Sequence, residues 1–142
     1  MIVMISACLI GTKCRYDGKS SKNLQLLELL KGFILVPFCP EQLGGLSTPR
    51  PKAEIKEGRV INEFGEDVTD YFLKGAKESL KIARRILPDI IILKSRSPSC
   101  GKGKIYDGNF SGKLIEGSGI TCSILIENGF RVLSDEEFCS FF

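Results

Sequence analysis

The chain contains no histidine and no tryptophan among its 142 residues. The absence of histidine excludes Ser-His-Asp and Cys-His nucleophile pairs, and it excludes every metal site that needs an imidazole ligand. General acid–base chemistry at any site of this protein must therefore come from Glu, Asp, Lys, Tyr, Cys or bound water.

Long apolar runs and a strong excess of one charge are also absent. No apolar run reaches the ~18 residues of a membrane-spanning helix. Lys and Arg number 20 against 17 Asp and Glu, a net charge of +3, which is too balanced to predict a nucleic-acid or membrane partner. The amino terminus lacks the basic start and cleavage site of a signal peptide. We therefore expect a cytoplasmic protein in which residues 1–142 form one domain, and the sequence leaves its oligomeric state open.

Close cysteine pairs such as C-x2-C are a third absence, although six cysteines are present. In a reducing cytoplasm these are better explained as metal ligands, catalytic groups or buried thiols than as disulfides. Cys8, Cys39 and Cys100 share a local setting, because each follows a short apolar run, at residues 2–5, 33–36 and 90–93. If these runs are parallel strands, the three thiols meet at the carboxyl edge of the sheet, where open α/β sheets bind their ligands.

Apolar runs and helical periodicity alternate along the rest of the chain. This alternation predicts a three-layer α/β/α, Rossmann-like fold with a four-stranded parallel sheet and small hairpin insertions. The stretch from Cys39 to Pro51 is predicted to be irregular because it is rich in Gly and Pro. The predicted helices cover residues 23–31, 68–87 and 120–128, and the predicted hairpins cover 53–62 and 105–115. After the three apolar runs already named, the fourth strand of the sheet is predicted at 130–133, followed by a short tail at 135–142.

Three thiolates could hold zinc or an iron–sulfur cluster. Structural zinc sites usually take ligands from close pairs, whereas single cysteines at separate strand ends suit a [4Fe–4S] cluster, which normally takes four. On spacing alone, a cluster, zinc and plain buried thiols remain comparable interpretations. Cys14 could be a fourth ligand, a resolving thiol or a surface residue. Cys122 in a predicted helix and Cys139 in the tail are interpreted as ordinary core or surface residues.

Polar and basic residues surround the three thiols. Glu41, in Cys-Pro-Glu, is the candidate general base, with an ordinary exposed glutamate as the alternative. Two serines near Cys100 could donate hydrogen bonds to a substrate or to sulfur, or simply shape a turn. Cations and a helix start could hold an anionic ligand, although a solvated basic surface explains any single one of them better. The two serines are Ser97 and Ser99, and the candidate substrate-binding residues are Arg15, Arg96, Lys102 and Ser118.

Three motifs surround these residues. They are Ser-Ala-Cys-Leu-x-Gly…Arg-Tyr-Asp-Gly at residues 6–18, Cys-Pro-Glu…Gly-Gly-Leu…Pro-Arg at 39–50, and Lys-x-Arg-Ser-Pro-Ser-Cys-Gly at 94–101. Together they resemble the thiouracil desulfidase family, and the resemblance runs from the first strand to the last.

The resemblance implies a site as well as an activity. It implies a [4Fe–4S] cluster held by three cysteines, matching Cys8, Cys39 and Cys100, and non-redox removal of sulfur from thiolated pyrimidines. The family's catalytic glutamate matches Glu41, and its catalytic serine falls in Arg-Ser-Pro-Ser, with Ser97 the first choice. Position 14 is not a ligand in the family, so Cys14 is a departure from its pattern.

The sequence thus predicts a cluster-dependent desulfidase. It would convert thiouracil or a thiouridine nucleotide into the uracil or uridine compound and sulfide. The alternatives are cluster-dependent sulfur transfer of the kind that thiolates transfer RNA, and a metal-stabilised binding module without turnover.

Overall fold

A four-stranded parallel sheet lies at the centre of the protein, which a computed structural model describes over all of residues 1–142. Its strands run in the order β2-β1-β5-β8, while β3-β4 and β6-β7 form two antiparallel hairpins. The strands are β1 Ile2–Ser6, β2 Ile34–Phe38, β3 Ala53–Lys56, β4 Arg59–Asn62, β5 Ile90–Leu93, β6 Lys104–Tyr106, β7 Leu114–Glu116 and β8 Val132–Ser134.

Five α-helices and one 3₁₀ turn connect these strands. None of the helices is both long and apolar enough to cross a membrane. They are α1 Leu24–Leu29, α2 Pro40–Leu43, α3 Thr69–Ile86, α4 Ile120–Glu127 and α5 Asp135–Phe141, with the 3₁₀ turn at Ala7–Ile10.

Both faces of the central sheet are covered by helices. Val3 of β1 packs on one face with Leu26 of α1 and Phe138 of α5. Met4 packs on the opposite face, in a cluster that contains Ala83 of α3 and residues of α4. Strands buried on both faces are apolar at nearly every position, which explains the continuous runs in the sequence. The predicted three-layer α/β fold with a four-stranded parallel sheet is therefore confirmed.

Two helices lie where the sequence predicted none. Helix α2 falls in the stretch predicted to be irregular, and Pro40 occupies its first turn, where a missing N–H costs nothing. Helix α5 replaces the predicted tail and begins with a capping box, in which Ser134 Oγ accepts the Glu137 amide and the Glu137 carboxylate accepts the Ser134 amide, both at 3.0 Å. Both elements are short, so a periodic apolar pattern does not reveal them.

Helix α2 lies directly against α3 through two glycines. A Cβ atom on Gly75 would overlap the carbonyl oxygen of Pro40, and one on Gly44 would overlap the carbonyl oxygen of Tyr71. The close approach of the two backbones therefore requires glycine at both positions. Helix α3 thus fixes the position of α2 and, with it, the side chain of Glu41.

Candidate active site

Three neighbouring strands bring Cys8, Cys39 and Cys100 to one edge of the sheet. Strand β1 lies between β2 and β5, so the loops after these three strands are adjacent. Cys8 lies in the 3₁₀ turn after β1, Cys39 directly after β2, and Cys100 in the loop after β5. All three residues line one cavity of about 260 Å³. The structure therefore unites thiols that are far apart in the sequence.

Burial raises the pKa of two of these thiols, those of Cys39 and Cys100. The Cys100 residue is 5% exposed, and the hydroxyls of Ser6 and Ser99 both lie within hydrogen-bond distance of its sulfur, at 3.5 Å. Burial raises the pKa of Cys100 to about 12, although the two hydroxyls oppose this shift. The pKa of Cys39 is also raised, first by its hydrogen bond with Cys14 and then by burial. Thiolates at this edge therefore need a positively charged centre to stabilise them.

A fourth thiol, that of Cys14, lies among the other three. The residue is 2% exposed, its thiol lies beside those of Cys8 and Cys39, and the Cys39 thiol donates to the Cys14 carbonyl oxygen at 3.8 Å. The hydrogen bond from Cys39 lowers the pKa of Cys14, but the bond with Cys8 and burial outweigh it and raise that pKa to about 11. The interpretation of Cys14 as a surface residue is therefore wrong, because the loop folds its side chain inward between two other thiols.

The Glu41 carboxylate is held between a serine and an arginine. It lies in the first turn of α2, two residues after Cys39. Ser99 Oγ donates to Glu41 Oε2 at 3.2 Å, and Arg50 Nε donates to Glu41 Oε1 at 3.1 Å. The Glu41 side chain is only 16% exposed, and it lines the same cavity as the thiols. A carboxylate in this position can accept a proton from water or substrate in the cavity.

Ser97 and Ser99 make different contacts. Ser97 Oγ accepts the amide N–H of Cys100 at 2.7 Å, which shapes the turn. The Ser99 hydroxyl contacts both the Glu41 carboxylate and the Cys100 sulfur. The two serine oxygens lie 3.4 Å apart. A continuous line of polar atoms therefore runs from Ser97 through Ser99 to Glu41.

The amino-terminal end of α4 holds the loop that carries Cys100. The amides of Ile120 and Cys122 donate to the carbonyl oxygens of Pro98 and Ser99, at 2.9 and 3.1 Å. These carbonyl oxygens take up two of the amides that a phosphate would need at this helix start.

Gly119 permits this contact, so its replacement tests it. Its Cβ atom would overlap the carbonyl oxygen of Ser99 and lie 2.8 Å from the Cys100 nitrogen. Gly119→Ala is therefore expected to lower the free energy of unfolding by about 1–3 kcal/mol, as other overpacked sites do. Urea unfolding measures this change, with Ser123→Ala in the same helix as the control. Wild-type stability of Gly119→Ala would show that the loop can move without cost.

Two of the four predicted substrate-binding residues, Arg15 and Arg96, line the cavity. The Arg15 guanidinium pairs with Asp17 at 2.9 Å, and the Arg96 guanidinium pairs with Glu136 at 3.0 Å. Both arginine side chains are at least one-third exposed. Each can therefore reach an anion at the mouth of the cavity while it keeps its carboxylate partner.

The other two, Lys102 and Ser118, lie outside the cavity lining. The Lys102 ammonium pairs with Glu137 at 3.1 Å. The Ser118 hydroxyl accepts the amide N–H of Gly103 at 3.2 Å. The structure thus gives both side chains protein partners outside the cavity lining.

Comparison with known proteins identifies the family. The sequence model of the 2-thiouracil desulfurase family matches residues 3–137. The chain belongs to the 2-thiouracil desulfurase family. The uncharacterized protein YbbK of Bacillus subtilis (strain 168) is 42% identical over 146 residues, which cover 96% of this chain and 97% of that protein. The solved structure of the [4Fe-4S]-dependent thiouracil desulfidase TudS is 40% identical, with a TM-score of 0.90, and the match covers 97% of this chain and 93% of that one.

These matches confirm the resemblance drawn from the three motifs. They also confirm the enzyme class, a desulfidase that breaks a carbon–sulfur bond. The TM-score of 0.90 independently confirms the α/β fold.

The side chains at the sheet edge of this desulfurase suit an iron–sulfur cluster. The available ligands are thiols, which are the usual ligands of such clusters. The Ser6 and Ser99 hydroxyls at the Cys100 sulfur supply hydrogen bonds of the kind that tune cluster potentials. No three Cys, Asp or Glu side chains converge as they would around a single metal ion. Which of the four thiols would bind iron stays a prediction.

The sequence did not reveal the roles of Arg50 and Ser6. Ser6 begins the first motif and Arg50 ends the second, and from the sequence Arg50 is interpreted only as one of several cations near the cysteine loops. The structure places Arg50 on Glu41 and Ser6 on Cys100. Both are polar residues within a motif at positions where no turn requires a polar side chain. That pattern was the signal that could have identified them as part of the site.

Proposed function

We propose that this protein is a [4Fe–4S]-dependent desulfidase that removes sulfur from thiolated pyrimidines without net oxidation or reduction. The observation that carries the proposal is the cavity at the carboxyl edge of the sheet, which is lined by four cysteines, the Glu41 carboxylate and the Ser99 hydroxyl. Its membership of the 2-thiouracil desulfurase family and its 40% identity to TudS support the cofactor and the substrate class.

Cys8, Cys39 and Cys100 would hold the cluster. Held by these three cysteines, the cluster would keep one iron free of protein ligands and would supply a Lewis acid for the sulfur of a C=S group. The chain's own contribution is to fix the three thiols on adjacent strand ends of a packed sheet, since sites built on rigid elements hold their geometry best.

Glu41 would be the general base. Its Oε2 atom would take a proton from the water that attacks the thiocarbonyl carbon. Ser99 donates a hydrogen bond to this oxygen and, with Ser97, would carry protons between Glu41 and the substrate. The water oxygen replaces sulfur on the carbon and sulfide leaves, so a carbonyl is formed and no electrons are gained or lost.

Replacing Cys14 tests whether three thiols suffice. Cys14→Ser is expected to keep iron and activity, because Cys8, Cys39 and Cys100 remain in place. Iron content and sulfide release, both measured per protein chain, check this result. Loss of iron from Cys14→Ser would show instead that Cys14 is a ligand and that no iron is left open to substrate.

The substrate is thiouracil or a thiouridine nucleotide, and Arg15 and Arg96 would bind the phosphate of the latter. Lys102 and Ser118 have no part in this proposal, since they lie outside the cavity lining. One or two hydrogen bonds from guanidinium to phosphate are expected to raise kcat/KM by roughly 10–100-fold. We expect thiouridine monophosphate to exceed thiouridine and thiouracil by this factor in steady-state assays. Equal kcat/KM for all three compounds would remove the phosphate role from both arginines.

One assay separates the proposal from its two alternatives. The protein is reconstituted with iron and sulfide without oxygen, and sulfide is then measured after addition of a free thiopyrimidine. Release of sulfide supports the desulfidase. Activity only with a sulfur donor and an acceptor nucleic acid supports sulfur transfer, and bound metal without any turnover supports a binding module.

We further propose that residues 1–142 act as one domain in a reducing cytoplasm. The buried Glu54 of β3 accepts the amides of Gly108 and Phe110, both at 3.1 Å, and so ties one hairpin to the other. All six cysteines are free thiols, the state that a reducing compartment maintains.

A further inference from the structure

Arg50 is a buried cation at the back of the cavity, and its side chain is only 4% exposed. Its guanidinium donates in three directions. Nε donates to Glu41 Oε1 at 3.1 Å, and Nη2 donates to the Cys14 carbonyl oxygen at 2.8 Å. Nη1 donates to the Ser47 carbonyl oxygen at 3.1 Å and to Thr48 Oγ1 at 2.9 Å. One side chain therefore joins the loop after β1, helix α2 and the loop after α2.

We infer that Arg50 is a positioning residue, which holds the Glu41 carboxylate so that Oε2 faces Ser99 and the reaction. This inference rests on the proposed role of Glu41 as the base. Arg50 occupies Oε1, and Ser99 occupies Oε2, so both ends of the carboxylate are fixed. Without Arg50, the carboxylate is free to rotate about its side-chain bonds, and only the single bond from Ser99 opposes that rotation.

The other hydrogen-bond acceptors of Arg50 make it suited to this role. The Cys14 carbonyl oxygen belongs to the loop that follows Cys8. By binding both this oxygen and Glu41, Arg50 fixes the position of the Glu41 carboxylate relative to that loop as well as relative to helix α2. The backbone supports the same arrangement, because the Arg50 amide donates to the Tyr16 carbonyl oxygen at 2.9 Å. The geometry needs the planar fork of a guanidinium, because its contacts come from three separate nitrogens, whereas all three N–H groups of a lysine ammonium leave one nitrogen.

Arg50 lines the cavity, but most of its hydrogen-bonding capacity is used by the protein. Four of its contacts are to protein oxygens, and a guanidinium has five N–H donors. Arg50 therefore acts through Glu41 and is not itself a catalytic residue.

A double-mutant cycle between Arg50 and Glu41 tests the inference. Arg50→Lys, Glu41→Gln and the double variant are loaded with cluster without oxygen, and single-turnover sulfide release is measured per loaded protein. Arg50→Lys alone is expected to lower the rate by about 10–100-fold, the loss typical of a reacting group misplaced by about 1 Å. It should leave the affinity for the thio compound, followed by equilibrium binding, nearly unchanged. In the Glu41→Gln background the Arg50→Lys change should cost almost nothing further, because the base that Arg50 positions is gone.

Each other outcome overturns a distinct claim. If Arg50→Lys lowers the rate by the same factor in the wild-type and in the Glu41→Gln background, Arg50 does not act through Glu41. If Arg50→Lys loses its cluster or its thermal stability and loaded protein keeps the full rate, its role is purely structural. If Glu41→Gln alone keeps the full rate, the proposed base itself is wrong. Arg59→Lys is the matched control, because Arg59 donates to Asp67 at 2.8 Å on the surface and should keep wild-type rate and iron content.

Discussion

Glu41→Gln is expected to release sulfide about 10²–10⁴-fold more slowly than the wild type, because a positioned general base is typically worth this factor. That loss corresponds to roughly 3–5 kcal/mol of barrier. Glutamine keeps the shape of glutamate and can still accept a hydrogen bond from Ser99 or Arg50, but it cannot take the proton from water. The variant should therefore keep its iron and still bind the thio compound. Single-turnover sulfide release, with iron content measured on the same sample, checks the prediction.

The matched control for this variant is Glu28→Gln. Glu28 pairs with Lys31 on the surface, where its side chain is 77% exposed, and its replacement should leave the rate unchanged. A near-normal rate in Glu41→Gln at full iron content would move the role of base to another group, such as Asp17 in the loop after Cys14.

Replacement of Cys8, Cys39 or Cys100 by Ser is expected to have the largest effect of all, the loss of cluster retention. Each thiol comes from a different strand end, so no neighbouring cysteine of the same loop replaces Cys39 or Cys100. A serine hydroxyl is a far poorer ligand for iron than a thiolate, since clusters are held by cysteine thiolates. Iron and acid-labile sulfide per chain, measured after reconstitution without oxygen, should fall from about four to near zero.

Cys122 and Cys139 supply the controls for this series. Cys122 is fully buried in the hydrophobic core between the sheet and helices α3 and α4. Cys139 packs against the hydrophobic core on the opposite face of the sheet. Neither lines the cavity. Cys122→Ala and Cys139→Ser should therefore retain the cluster. If either control lost its iron as completely as Cys8→Ser, the assay would report folding and not ligation.

The central sheet was predictable because strands buried on both faces leave continuous β-branched runs in the sequence. The Ile90–Leu93 run is buried at every position, and the Gly and Pro residues around such runs mark where they end. The strand order was not predictable, since periodicity says nothing about which strands become neighbours. Yet this order, with β1 between β2 and β5, brings the three cysteine loops together.

The site was predictable as a set of residue types and not as a set of contacts. The motifs pointed to Cys8, Cys39, Cys100 and Glu41, and all of them line one cavity. The bonds from Ser99 and Arg50 to Glu41 depend on loop conformations fixed by distant elements, such as α3 behind α2 and α4 behind the Cys100 loop. The resemblance makes Ser97 the first choice for the catalytic serine, but it does not show the hydrogen bond from the Cys100 amide to Ser97 Oγ, because that turn forms only in three dimensions.

The most direct test of a cluster-dependent desulfidase is the stoichiometry of its reaction. Protein reconstituted without oxygen is incubated with thiouracil or thiouridine monophosphate, without any reductant or oxidant, and sulfide and the desulfurated pyrimidine are both quantified. The account predicts many turnovers per chain, with one sulfide and one carbonyl product formed for each thio compound consumed. Protein that binds about four irons per chain yet forms neither product from either compound would contradict it.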